Sequence, residues 1–121
     1  MEKKATLRKP KRQPAARPGR PVRGSTTGRP IMAALDLLGR RWSLRVLWEL
    51  RDGPLGARPL RERCDGMSPS VLYERLGELT VAGLIAQRDD QCYELTGLGQ
   101  SLGEALAPLD GWARRWARET G

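Results

Sequence analysis

The sequence predicts a mainly α-helical domain that carries one small β-hairpin and follows a basic tail. Three observations lead there. Apolar residues recur at helical spacing through most of residues 30–119. Two short alternating segments, residues 84–88 and 91–95, flank the polar turn Asp89-Asp90. The opening segment shows no apolar periodicity at all. At 121 residues the chain has room for one core beside such a tail.

The formal net charge of +8 is unevenly divided. Residues 1–30 hold four Lys and six Arg against one Glu, a balance of +9, whereas residues 31–121 hold twelve Arg and no Lys against thirteen acidic residues, a balance of −1. The tail, residues 1–29, is rich in Pro, Gly and Arg and cannot bury enough apolar surface to offset its ordering entropy, so it is expected to be disordered. It is either a solubilising leader or an arm that docks on DNA phosphates, with an affinity that falls as salt rises. Arg17-Pro18-Gly19-Arg20-Pro21 and Gly28-Arg29-Pro30 resemble the AT-hook, whose Gly-Arg-Pro core lies in an A·T minor groove; Pro18, between Arg17 and Gly19, departs from that pattern. Arg20 and Arg29 are the candidate contacts in this arm.

The domain proper is expected over residues 30–121. Ile31 to Leu38 makes two helical turns, ended by Gly39. Arg40-Arg41-Trp42 leads into SLRVLWELRDG, a helix apolar around most of its circumference and hence expected in the middle of the core. Arg45 and Glu49 form an i,i+4 pair on its polar edge. Asp52-Gly53-Pro54 stops it. Residues 58–64 form a short helix with Pro59 at its first position, closed by the tight turn Asp65-Gly66. The helix over residues 68–82 follows, with Ser68 as N-cap, Pro69 at the first position and Gly83 as left-handed stop. Its Leu72, Leu76 and Leu79 face the core, and Ser70, Tyr73, Glu74 and Gly77 face away. After the hairpin, Thr96 caps a last helix of about residues 97–119, which Pro108 should kink or divide near Ala107.

Residue types exclude several functions. There is no His, and Cys64 and Cys92 lie 28 positions apart without a CxxC, so a zinc cluster, a redox pair and the commonest general base are all missing. No nucleophile–base pair can be assembled, and no cofactor or metal is expected. No apolar run spans a bilayer and no apolar region follows the basic start, which points away from membranes and secretion and towards a cytoplasmic, nucleoid-associated protein.

Two helices joined by a Gly-containing turn and followed by a hairpin make a helix-turn-helix with a wing. In that arrangement the second helix, residues 68–82, enters a DNA major groove. Seven pieces in order carry a resemblance: Leu35-Asp36-Leu37-Leu38-Gly39 with a basic residue and Trp42; Leu50-Arg51-Asp52-Gly53-Pro54; Leu60; Met67-Ser68-Pro69-Ser70-Val71-Leu72 running to Arg75-Leu76 and Glu78-Leu79; Gly83-Leu84-Ile85; Tyr93-Glu94-Leu95-Thr96; and Leu98-Gly99. Over residues 31–112 the chain resembles the HxlR-type winged helix-turn-helix regulators, relatives of the MarR group. The resemblance implies a homodimer on a pseudo-palindromic operator, with one recognition helix per half-site.

Roles follow from side-chain chemistry. Ser68, Ser70 and Tyr73 stand at the deepest point of the helix, and Tyr73 offers a ring to thymine methyls and a hydroxyl to phosphate. Glu74 can accept from a cytosine amine or pair on the helix surface. Arg75 can reach a phosphate or an internal carboxylate. Arg40, Arg41 and Arg58 flank helix starts as phosphate candidates. Arg88 is the one favourable contact on an acidic wing tip, so the tail is expected to supply the grip the wing lacks. Cys64 is expected to pack at its helix end and Cys92 to sit on a wing strand; unlike relatives that sense electrophiles, the chain has no Cys before its first helix.

The dimer surface is read from surplus apolar residues: Ala33, Leu37 and Leu38 on the first helix, with Leu102, Leu106, Leu109, Trp112 and Trp116 on the last. A crevice between the last helices could hold a small apolar effector, though nothing in the sequence demands one. Two other functions stay open, an architectural DNA-binding protein led by the tail and a winged-helix module for protein–protein contact.

Overall fold

The computed structural model describes residues 29–121, so residues 1–28 of the tail, Arg20 among them, lie outside the described residues. Five helices and one hairpin follow in order: α1 Pro30–Leu38, α2 Ser43–Glu49, α3 Ala57–Arg63, α4 Pro69–Val81, β1 Ile85–Gln87, β2 Tyr93–Leu95 and α5 Gly97–Thr120. The strands pair antiparallel, with Ile85 opposite Leu95 and Gln87 opposite Tyr93. The mainly α class with a hairpin wing is therefore the observed one.

The core lies where α1–α4 meet the hairpin. Val46, Leu50, Leu60, Cys64, Leu72, Leu76, Leu79 and Ile85 are buried there. Ala33 and Leu37 join them, only 4% and 6% exposed. That corrects their assignment to a dimer surface: spaced i,i+4, they share the inward stripe of α1, and the outward stripe carries Ile31 and Leu35, both exposed. α2 is less enclosed than its composition suggests, because Leu44 and Trp48 face outward. The Trp48 ring is covered instead by the Arg51 guanidinium, 3.9 Å from its centroid.

Other boundaries differ in instructive ways. α3 begins at Ala57, so Pro59 occupies its third position, where the N–H would still have no partner within the helix. α5 runs undivided through Pro108. The carbonyl one turn earlier belongs to exposed Glu104, so water can satisfy it without breaking the helix. The strands are three residues long, which leaves Cys92 in the turn before β2 and not on a strand. There Arg88 N–H donates to the Cys92 carbonyl at 2.7 Å, and Cys92 N–H to Asp90 Oδ1 at 3.0 Å. Leu55, between α2 and α3, exchanges two backbone hydrogen bonds with Tyr93 and extends the wing by a third piece of strand. A single residue offers no alternation to read, so nothing in the local pattern announces it. Among the described residues, no helix is long and apolar enough to cross a membrane, and no cluster of metal-ligating side chains forms.

Candidate nucleic-acid interface

The junction between α3 and α4 is set by local chemistry. Gly66 takes φ +77° in the turn, a conformation that costs a side chain, and Met67 N–H returns to the Cys64 carbonyl at 3.1 Å. Ser68 then caps α4: its Oγ accepts from Val71 N–H at 3.2 Å, and Pro69 fills the first position. At the far end Gly83 (φ +84°) permits the paired closing bonds, Leu84 N–H to Leu79 O and Gly83 N–H to Thr80 O, both 3.0 Å. Helix α4 is thereby fixed at both ends.

Its two faces differ sharply. Leu72, Leu76 and Leu79 are buried, while Ser68, Ser70 and Tyr73 stand in solvent, Tyr73 with 53% of its surface exposed. The Ser68 and Ser70 hydroxyls lie 3.3 Å apart and so present one polar patch at the helix start. Glu74 and Gly77 are half-buried, and a Glu74 oxygen lies 3.7 Å from the Arg75 guanidinium. Nearby, burial, with a smaller contribution from Tyr73, pushes the Tyr93 phenol above its ordinary pKa and keeps it neutral.

The arginines sort into two groups. Arg40 is 6% exposed, its guanidinium between Asp36 at 2.7 Å and Glu78 at 3.3 Å. It is therefore an internal cation and not a surface phosphate contact; the turn after α1 points it inward, where two carboxylates compensate its burial. Arg75 likewise turns to an internal carboxylate, donating to Glu78 at 2.6 Å and to the Arg41 carbonyl at 2.7 Å. Arg88 is spent on the wing itself, 3.1 Å from Asp90 and 3.8 Å from Glu94. Exposed cations remain at Arg29, at Arg41, whose guanidinium sits 5.5 Å from the Trp42 ring centroid, and at Arg58, loosely 3.8 Å from Glu62. Arg61 on α3 is also exposed and was missed by sequence reasoning; its place one turn after Arg58 was the available signal.

Cys64 is fully buried, and that burial pushes its thiol above the ordinary range despite Arg45 nearby. A cleft of about 350 Å³ opens at the α1–α2 junction, lined by Leu38, Arg40, Arg41, Trp42, Leu44 and Arg45, away from the α5 crevice expected for an effector.

A Gly-containing turn between two helices, a second helix capped and bare at its start, and a hairpin directly after it define a winged helix-turn-helix protein. The chain belongs to the HxlR family: residues 37–120 match the HxlR-like helix-turn-helix model. Its relatives include the HTH-type transcriptional regulators YvaP and YodB of Bacillus subtilis. YvaP is 30% identical over 90 residues, which span 69% of this chain and 82% of YvaP. YodB is 28% identical, with 74% and 86% covered. Among solved structures, quinone-bound YodB superposes with a TM-score of 0.66 at 29% identity, covering 70% of this chain and 94% of that one. A protein of Thermoplasma volcanium described as a possible HxlR family transcriptional factor gives 0.65 at 27%, covering 70% and 82%. The protein is thus a transcriptional regulator of HxlR/MarR type and not an enzyme.

Proposed function

We propose that the chain is a sequence-specific double-stranded DNA-binding regulator that acts as a homodimer, with α4 in the major groove of each half-site. The observation that carries this is the polarity of α4: Ser68, Ser70 and Tyr73 are presented to solvent at its start, while its leucines anchor the opposite face. Arg41 and Arg58, with Arg61, supply backbone contacts around it. The body is close to neutral and spends Arg40, Arg75 and Arg88 internally, so the tail with its Arg20 and Arg29 supplies most of the phosphate attraction, on the backbone or in the minor groove. Such a protein works in the cytoplasm at the nucleoid.

The dimer surface is the outward stripe of α1, Ile31 and Leu35, with Leu109, Trp112 and Trp116 of α5 and half-buried Leu102 and Leu106 at its edge. The Trp112 and Trp116 rings stack with centroids 5.7 Å apart, an apolar area that water disfavours leaving open. An apolar effector would bind in the cleft at the α1–α2 junction, against Leu38, Trp42 and Leu44.

The internal pairing of the body's arginines favours a second reading, a winged-helix module for protein contact. Selection of genomic DNA with purified protein at near-physiological salt, with and without residues 1–29, tests both. Enrichment of a palindromic site is the expected outcome, with lower affinity and a smaller salt slope once the tail is removed. Uniform coating would favour the architectural function, and no DNA retention would favour protein contact.

A further inference from the structure

Four charged side chains are folded away behind α4. Asp36, Arg40 and Glu78 are each less than a tenth exposed, and the Arg75 side chain is mostly covered. Arg40 Nη2 donates to Asp36 Oδ2 at 2.7 Å, and its Nη1 lies 3.3 Å from Glu78 Oε2. The other Glu78 oxygen accepts from Arg75 Nη1 at 2.6 Å, and Arg75 Nε donates to the Arg41 carbonyl at 2.7 Å. The circuit leaves the end of α1, crosses to the middle of α4 and returns to the residue after Arg40. Within these four side chains, two cations face two carboxylates.

Such a network is a poor way to gain stability, because taking charges out of water costs about as much as their pairing returns. What it does supply is direction. Apolar contacts between Leu76, Leu79 and the core tolerate small slips, since burial is non-directional. A guanidinium shared between Asp36 and Glu78 tolerates few, because a slip leaves a carboxylate buried without its cation. The two helices joined this way are the ones that matter most: α1 bears the outward Ile31 and Leu35, and α4 bears Tyr73.

We propose that Arg40 is a positioning residue that, through Glu78 and Arg75, fixes the angle of α4 relative to α1. Its consequence at DNA rests on the reading above: the angle sets how far apart two recognition helices lie in the dimer, and so which half-site spacing is bound.

The test compares the full chain with Glu78→Gln, which keeps an acceptor for Arg75 but removes the charge, and with Arg40→Met. Leu79→Val serves as a core control of similar thermal loss. Residual dipolar couplings of backbone amides give the α1–α4 angle without DNA. Binding is then measured on the selected operator and on versions with one base pair added or removed between half-sites. Both network variants are expected to change the couplings of α4 relative to α1, to lose about tenfold in affinity for the selected spacing and to discriminate less between spacings, as residues that couple elements without touching ligand do. The control should keep the wild-type couplings and spacing preference. Wild-type couplings in Glu78→Gln would overturn the proposal, and so would altered couplings with an unchanged spacing preference. A wild-type protein that selects no sequence would sink the DNA reading alone, and the couplings would still decide whether Arg40 sets the angle.

Discussion

Gly99→Ala is the substitution whose outcome departs furthest from what its surroundings in sequence suggest. Residue 99 lies in the first turn of α5, where Gly→Ala ordinarily gains about 1 kcal/mol of helix propensity. Here a Cβ would stand 2.1 Å from the Leu84 carbonyl oxygen, 3.1 Å from its carbon and 3.3 Å from a Leu95 methyl, against the 3.4 Å of ordinary contact. The obstacle is backbone, so α5 and the turn after α4 must part by more than an ångström. That turn is held by Thr96 N–H on the Leu84 carbonyl at 3.0 Å, and Thr96 Oγ1 caps Gly99 N–H at 3.1 Å. Overpacking costs about 1–3 kcal/mol, and loss of the cap and of the Leu84 bond adds about 1 kcal/mol each. Set against the propensity gain, the net loss is about 2–4 kcal/mol, or roughly 10–30 °C in melting temperature for a domain of this size. Gly111, two positions round the same helix from Leu109, has open space about it, so Gly111→Ala is expected to gain about 1 kcal/mol. Scanning calorimetry of both variants at one protein concentration checks this. If Gly99→Ala melted higher than wild type, as Gly111→Ala should, the proposed close approach of α5 to Leu84 would be wrong.

Ser68→Ala removes the cap of α4 and should cost about 1 kcal/mol in denaturant unfolding, with Ser68→Gly costing less. Alkylation in the native state should modify half-buried Cys92 and spare Cys64, which becomes reactive only on unfolding; equal rates at the two sites would contradict the packing around Cys64. Because burial raises the Cys64 thiol in the folded state, its contribution to stability is fully present below the thiol's ordinary range and is lost as pH rises from that range through the raised folded-state value, a decline that Cys64→Ala should lack. Leu109→Glu with Trp112→Glu should lower the apparent mass in sedimentation towards that of one chain, and an unchanged mass would remove α5 from the proposed interface.

Much of this protein is written locally in its chain. The Ser68-Pro69 start and Gly83 stop of α4 depend on neighbours within a few residues, as does the 3.6-residue spacing of Leu72, Leu76 and Leu79, so sequence alone places that helix and its exposed Tyr73. The same holds for the turn at Asp65-Gly66 and for the charge split between tail and body. Partners far apart in sequence are different. Arg40 and Arg58 look alike beside helix starts, yet one is enclosed by Glu78 from another helix and the other stands in water. Ala33 and Leu35 are both apolar residues of α1, and only the packing of α1 into the core, against α2, decides which of their stripes is covered. Leu55 joins the wing because Tyr93 comes to it from 38 positions away. Periodicity and capping are short-range properties; the burial of a charge and the choice of a face depend on what the rest of the chain brings alongside, which only the tertiary structure settles.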